Sequence, residues 1–431
     1  MTQERVALPV EPGAVKATPF GRFVPALLLS QLGFCVALVT PLQLLLALHL
    51  NAIAGADATT AFGIVTGFGA LVALLFNPIA GRVSDRTRAR LGRRRTWILS
   101  GSLALALTLI AMSATTQVWQ VVVLWCLVQA AANFQYAANN ALVADQVPAA
   151  RRGGVSGLVG FAASVGPIAG IALANTAPAG SSRQWIIVAA VAVGASLLAV
   201  VLLRDPRSTA PKPPLDLRTI LSTFWFNPRR HPAFGWAWLT RFLIMCGYAS
   251  GGYNTFFLMQ RFGYDEHDVG GIVLAIGIVS VLCVAITSIA AGYLSDAVKR
   301  QKPFAIFAGI AVAAALVMMA FAPDLTMVFV ASILLGLGAG SFLAVDLALC
   351  VRVLPNEEEA GKDLAIINIA NSLPQSLVPF FAPMLLALGG FPAFFLTLAV
   401  VALLGAVAVI RIPEIGCEHL TGRWTAPITR A

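Results

Sequence analysis

Gln129, Asn133, Tyr136 and Asn140 follow one another at spacings of four, three and four residues inside a long apolar run. That spacing places all four on one face of a helix. Polar side chains turned to lipid are costly, so the face must look at protein or water. Amides and a phenol can both donate and accept hydrogen bonds, which suits a hydroxylated solute such as a sugar. The same residue types also join helix to helix, and the sequence leaves both roles open. Gln31 and Gln43 in the first apolar run, with Tyr248 and Asn254 in the seventh, are weaker candidates for the same midplane volume. Asn368, Asn371 and Gln375 form a further stripe in the eleventh run, read as interhelical packing.

Two charges interrupt apolar runs. Arg241 lies in the seventh and Asp346 in the tenth, both in the third nearest the chain ends. An unpaired charge at that depth is costly, so the two are expected to pair. Such a pair can simply hold the fold. It can also couple a proton to a conformational cycle, if Asp346 takes up a proton when parted from Arg241 and releases it when they meet.

A third constellation is repeated. Gly81-Arg82-Val83-Ser84-Asp85-Arg86 follows the second apolar run, and Gly292-Tyr293-Leu294-Ser295-Asp296 follows the eighth. The first continues into Arg88, Arg90, Gly92, Arg93, Arg94 and Arg95, the second into Lys299, Arg300 and Lys302. Gly81 allows a close helix approach, and Asp85 can cap a turn or accept from Arg86 or Arg93. Asp145, at the end of the fourth run, is placed to join them. This group reads as a gate that makes and breaks, or as a static staple. Arg94 and Arg95 read as charges that set topology.

The elements that must position these residues are membrane spans. Of 431 residues, 58% are hydrophobic and 11% charged, and the mean hydropathy is +0.84. About twelve apolar runs of about 20 residues or more lie between residues 22 and 411, each long enough for a helix to cross about 30 Å of hydrocarbon. Barrel strands need only about ten alternating residues, so helices are expected. The fold class is thus an all-α integral membrane protein, with twelve transmembrane helices in two pseudo-symmetric six-helix bundles. The expected parts are an N-terminal tail (1–21), a first bundle (22–204), a linker (205–232), a second bundle (233–411) and a C-terminal tail (412–431). Pro211, Pro213 and Pro214 break the linker, and Leu217, Ile220, Leu221, Phe224 and Trp225 can form a short amphipathic helix after them. The duplication shows again where Phe20-Gly21 matches Phe234-Gly235, and where Ala141-Leu142 with Pro148 matches Ala348-Leu349 with Pro355.

The net charge of +10 does not mark a nucleic-acid binder. The arginines and lysines crowd the even-numbered loops, as the positive-inside rule requires, which puts both termini in the cytoplasm of an inner-membrane protein. Residues 1–21 lack the apolar core of a cleaved signal, so the first span is read as an uncleaved anchor. The six cysteines (35, 126, 246, 283, 350 and 417) show no metal or disulfide spacing. There is no Gly-x-x-x-x-Gly-Lys loop and no His/Cys cluster. No cofactor, no metal and no enzyme activity are expected. The partners are a small-molecule solute, protons and the lipid bilayer, with a monomer expected.

Twelve spans in two halves, with the Gly-x-x-x-Asp loop after spans two and eight, resemble the major facilitator superfamily. The long form from Gly81 through Asp85-Arg86 to Gly92-Arg93-Arg94-Arg95 resembles the glycoside–pentoside–hexuronide and sucrose-transporter-like branch, as does Leu364 to Gln375 in span eleven. The resemblance implies a central cavity lined by spans one, four, seven and ten, and a secondary active transporter working by alternating access. No acid in spans one or two matches a melibiose-type sodium site, so protons are the expected coupling ion. Gly166-Pro167 in span five partly resembles the motif of drug–proton antiporters, with Ile171 replacing its last glycine. The rival readings are an efflux antiporter for a drug or amphipathic metabolite, and a non-transporting sensor on the same fold.

Overall fold

The computed structural model describes residues 18–205, 231–352, 366–367 and 369–412. The expected amphipathic linker helix and Asn368 lie outside the described residues. Nine helical stretches among the described residues are long and apolar enough to cross a membrane. Two of them, Phe20–Arg86 with 67 residues and Ile369–Val409 with 41, would run roughly 100 and 60 Å if straight, too long for one crossing. Both fold back at glycine. Gly55, at φ 53°, opens the 3₁₀ turn Gly55–Asp57, and Leu46–Ala54 then packs along Ala58–Arg86. Gly389 and Gly390 break the second stretch, and Gly390 sits at φ 64°. Span seven does not form one unbroken helix. It is Pro232–Tyr248, the 3₁₀ segment Ala249–Tyr253, and Asn254–Phe262. The regular structure among the described residues is all helical and consistent with the twelve expected spans.

Span one is broken too. Pro41 has no N–H, and the chain widens into a π-turn over Pro41–Leu45, with the Leu46 N–H bonding to the Pro41 carbonyl. The remaining spans are Arg95–Met112 (three), Val118–Gln146 (four), Ala149–Ala174 (five), Ser182–Leu202 (six), Glu266–Val298 (eight), Lys302–Ala320 (nine) and Leu325–Arg352 (ten). Their starts follow local chemistry. Gln117 and Gln120 close a reciprocal cap on span four, and Asp265 accepts from the N–H groups of His267 and Asp268 at 3.0 and 2.9 Å to start span eight.

Within each half, small residues let helices approach closely. A Cβ on Gly33 of span one would meet Ala192 and Ala195 of span six at 3.0 Å, and one on Gly309 of span nine would meet Ala406 of span twelve at 2.7 Å. Between the halves, the contacts gather at the end remote from Phe20 and Val409, here termed the far face. A Cβ on Gly63 of span two would lie 2.6 Å from the Pro379 carbonyl and from Pro383 Cγ of span eleven. The Phe62 ring meets Tyr253 and Phe256 of span seven at centroid distances of 5.1 and 5.3 Å. Asn175, after span five, abuts Gly270 of span eight. The far face is closed.

Candidate functional site

At the terminal face, the loop after span two folds around one buried arginine. Arg94 is 4% exposed. Its Nη2 donates to Asp85 Oδ1 at 2.7 Å, its Nε to Asp145 Oδ2 at 2.9 Å, and its Nη1 to Ser84 Oγ at 2.8 Å. Arg93 Nη2 donates to the same Asp145 oxygen at 2.7 Å. The backbone N–H groups of Arg94 and Arg95 both donate to Asp205 Oδ2, at the end of span six. Gly92 makes this possible. It sits at φ 105°, and a Cβ there would fall 2.2 Å from the Asp205 carbonyl oxygen. Trp97 Nε1 donates to Thr87 Oγ1 at 2.7 Å while its ring stacks on Phe134 at 4.4 Å, which ties the loop to span four.

Arg94 is therefore the hub of the cluster and not only a topology charge, and the sequence analysis did not single out Ser84 or Asp205. Ser84 recurs in the repeat as Ser295, a signal that could have found it, whereas Asp205 lies outside the repeat and is brought in from the other end of the bundle's chain. Asp85 pairs with Arg94, and Arg93 goes to Asp145; Arg86 is the last residue of the helix Ala58–Arg86. The close helix approach expected at Gly81 is absent in this conformation, since a Cβ there would meet nothing within 4 Å. Asp296 lies in the helix Glu266–Val298, and its side chain lies outside the described part.

Span four separates its polar residues into two sets. Gln135 and Asn139 are buried in the packing. Gln135 Nε2 donates to Ser196 Oγ of span six at 3.1 Å, and Asn139 Oδ1 accepts from Ser30 Oγ of span one at 2.6 Å. Asn139 Nδ2 also donates to Gln31 Oε1 at 3.3 Å, so Gln31, 4% exposed, sits in the seam between spans one and four. The stripe Gln129, Asn133, Tyr136 and Asn140 points elsewhere. Among the described residues its side chains make one hydrogen bond, from Asn133 Nδ2 to the Gln129 carbonyl at 2.8 Å. Gln129 lies beside Gly69 of span two, Tyr136 stacks on Phe34 of span one at 5.6 Å, and Asn140 is exposed. The stripe thus runs between spans one and two.

In the other half, Arg241 of span seven and Asp346 of span ten form an ion pair through Nη1 and Oδ2, with side chains 14% and 7% exposed. Trp238 and Phe242 stack in parallel beside Arg241 on the same helix, 5.4 Å apart, and Trp238 Nε1 donates to the Ile366 carbonyl at 2.9 Å. Tyr248 does not share that environment. It packs with Ile244, Met245, Ala308 and Phe342, its hydroxyl 3.3 Å from where a Gly338 Cβ would be. Asn254 lies three residues beyond Gly251, whose side of span seven is open: a Cβ there would meet nothing within 4 Å, whereas one on Gly247 would meet Val312 at 2.4 Å. Asn254 Oδ1 is buried without a partner. Asn371 is half-buried and Gln375 exposed. Among the described residues no group of three or more His, Cys, Asp or Glu is placed to hold a metal ion.

Two halves of packed apolar helices that meet at the far face, with one buried ion pair inside them and a charged cluster at the terminal face, define a multi-pass helical membrane protein. The chain belongs to the Major Facilitator Superfamily, whose profile matches residues 23–285 and 271–423. It is a membrane transporter and not an enzyme. No curated protein matches its sequence significantly. Among solved structures, the nucleoside transporter NupG aligns at a TM-score of 0.72 and 13% identity, covering 91% of this chain and 99% of NupG. A bacterial homolog of the human lysosomal transporter Spinster aligns in two inward-facing forms. The unoccupied form gives a TM-score of 0.65 and 15% identity over 94% of this chain and 98% of the other, and the occupied form 0.68 and 14% over 96% and 100%. At these identities the likeness is one of fold.

Proposed function

We propose that this transporter imports a small, hydroxyl-bearing organic solute of the glycoside type by alternating access, driven by protons. The observation that carries the reading is the division of labour on span four. Gln135 and Asn139 already serve the packing, whereas the stripe Gln129, Asn133, Tyr136 and Asn140 spends only the Asn133 amide, on the Gln129 carbonyl, and keeps its other donors and acceptors for a ligand. Stacked Phe34 offers an apolar face beside them, and Asn254 Oδ1, buried and unpartnered, offers an acceptor from the opposite half. Proton coupling falls to Asp346 and Arg241. Asp346 holds a proton while the two are apart and loses it when the ion pair forms. The cluster around Arg94 acts as the gate on the terminal face, which the positive-inside distribution places in the cytoplasm of the inner membrane.

One observation favours the efflux antiporter as a second reading. Span five packs tightly on span one through its Gly-Pro segment: a Cβ on Gly166 would meet Cys35 Cβ at 2.7 Å, and the Pro167 carbonyl accepts from Thr40 Oγ1 at 3.4 Å. Vesicles holding the purified chain decide between the readings under an imposed proton gradient. Accumulation of labelled glycosides with the proton flow supports import. Extrusion of hydrophobic dyes against it supports the antiporter, and neither movement overturns both.

A further inference from the structure

We propose that Thr255 is a hydroxyl clasp that holds the far face shut, by bonding across the two halves to the backbone carbonyl of Gln43. The proposal rests on the alternating-access reading above. Thr255 is fully buried, and its Oγ1 donates to the Gln43 oxygen at 2.6 Å, joining span seven to span one.

A threonine in a helix ordinarily returns its hydroxyl to a carbonyl one turn back in its own helix. Several helical threonines among the described residues do so, although Thr240 Oγ1 is buried without a partner. Thr66 bonds to the Phe62 oxygen at 2.6 Å, Thr87 to Val83 at 2.8 Å, Thr108 to Ala104 at 2.7 Å and Thr397 to Ala393 at 2.8 Å. For Thr255 the equivalent acceptor is the Gly251 carbonyl, and the hydroxyl bypasses it. Thr40 also bonds outside its own helix, to the Pro167 carbonyl, but within one half. Among the described residues Thr255 is the threonine whose hydroxyl crosses between halves.

Both backbones are broken at the crossing. Gln43 lies in the π-turn Pro41–Leu45, where the widened turn turns carbonyls aside from the helix axis. Thr255 follows directly on the 3₁₀ segment Ala249–Tyr253, which sets its bearing toward span one. Phe62 of span two, against Tyr253 and Phe256, keeps the neighbourhood dry. The Gly251 carbonyl already accepts the Asn254 N–H, so in this structure the Thr255 hydroxyl is spent on Gln43. The clasp is a single neutral hydrogen bond, so it biases the equilibrium without locking it. One neutral hydrogen bond made in the closed state alone shifts such an equilibrium about 2- to 10-fold.

The test compares T255V, which keeps the shape and removes the hydroxyl, with T255S, which keeps the hydroxyl. The full chain, with its native cysteines replaced, is placed in lipid nanodiscs and carries spin labels at Ala114→Cys and Pro323→Cys. Both positions are exposed on far-face loops, one in each half. T255V is expected to raise the population at the longer separation about 2- to 10-fold over the parent, and T255S to restore the parent distribution. Should T255V not be recovered folded, T255A is measured in its place with the same expectation. An unchanged distribution in the hydroxyl-less variant, beside a parent that samples both separations, overturns the clasp alone. A parent and variants that all hold one separation at every pH and solute condition overturn alternating access and the clasp together.

Discussion

Asn133 and Tyr136 are where a packing role and a binding role part company. Asn133→Ala and Tyr136→Ala are expected to raise the apparent KM for the solute about 5- to 13-fold, since each removes a ligand contact of about 1–1.5 kcal/mol. Leu127→Ala and Val123→Ala, on the exposed opposite side of the helix, should leave it unchanged. Equal binding by all four purified variants would return the stripe to packing. Arg94 separates from Arg93 in the same manner. Arg94 is buried and serves two carboxylates and a hydroxyl, so Arg94→Gln should lower stability by about 2–3 kcal/mol. Arg93 shares a half-exposed pair with Asp145, and Arg93→Gln should cost less than about 1 kcal/mol. Thermal unfolding in detergent gives both, and a larger drop for Arg93→Gln would put the hub in the wrong residue.

Spans two and eleven show what an element contributes that no single side chain does. Gly63 brings span two to within contact of the Pro379 carbonyl, which Pro383, lacking an N–H, leaves without its usual helical donor. Tyr253 Oη donates to that oxygen at 3.2 Å. A valine at position 63 would push its Cβ into backbone, which cannot yield as a side chain can. Gly63→Val is therefore expected to part the halves at the far face, at a cost to the closed state of about 1–3 kcal/mol. Thiol labelling at far-face positions should rise and net transport fall. Gly81, with open space around it, should accept alanine with neither change.

For the whole molecule, the decisive test is whether the Arg241–Asp346 pair transduces or merely supports. Asp346→Asn removes the charge and keeps the shape. Proton-driven accumulation should be lost while solute exchange between equal pools continues, because exchange needs no net proton movement. Retained accumulation would make Asp346 a structural partner. Arg241→Ala differs in kind: it leaves a carboxylate buried with its cation gone, so both accumulation and stability should fall.

Sequence alone determined that this is a duplicated, helical membrane protein, because run length, charge placement and the paired Gly-x-x-x-Asp loops are chemical facts of the chain in any conformation. It also determined that Arg241 and Asp346 would meet, since two opposite charges in apolar surroundings have few other partners. The tertiary structure decided what periodicity cannot. Gln135 and Asn139 are the same kinds of residue as Gln129 and Asn133, on the same helix, and only the neighbouring helices decide which pair bonds across to spans one and six. Gln31 and Tyr248 are weak candidates on spans one and seven, and what each touches came only from the fold: Gln31 accepts from Asn139, and the Tyr248 hydroxyl lies beside Gly338. Asp205 joined Arg94 across 111 residues of chain, and Thr255 found Gln43 across 212. Such contacts depend on how bundles close on one another, which no local pattern of residues encodes.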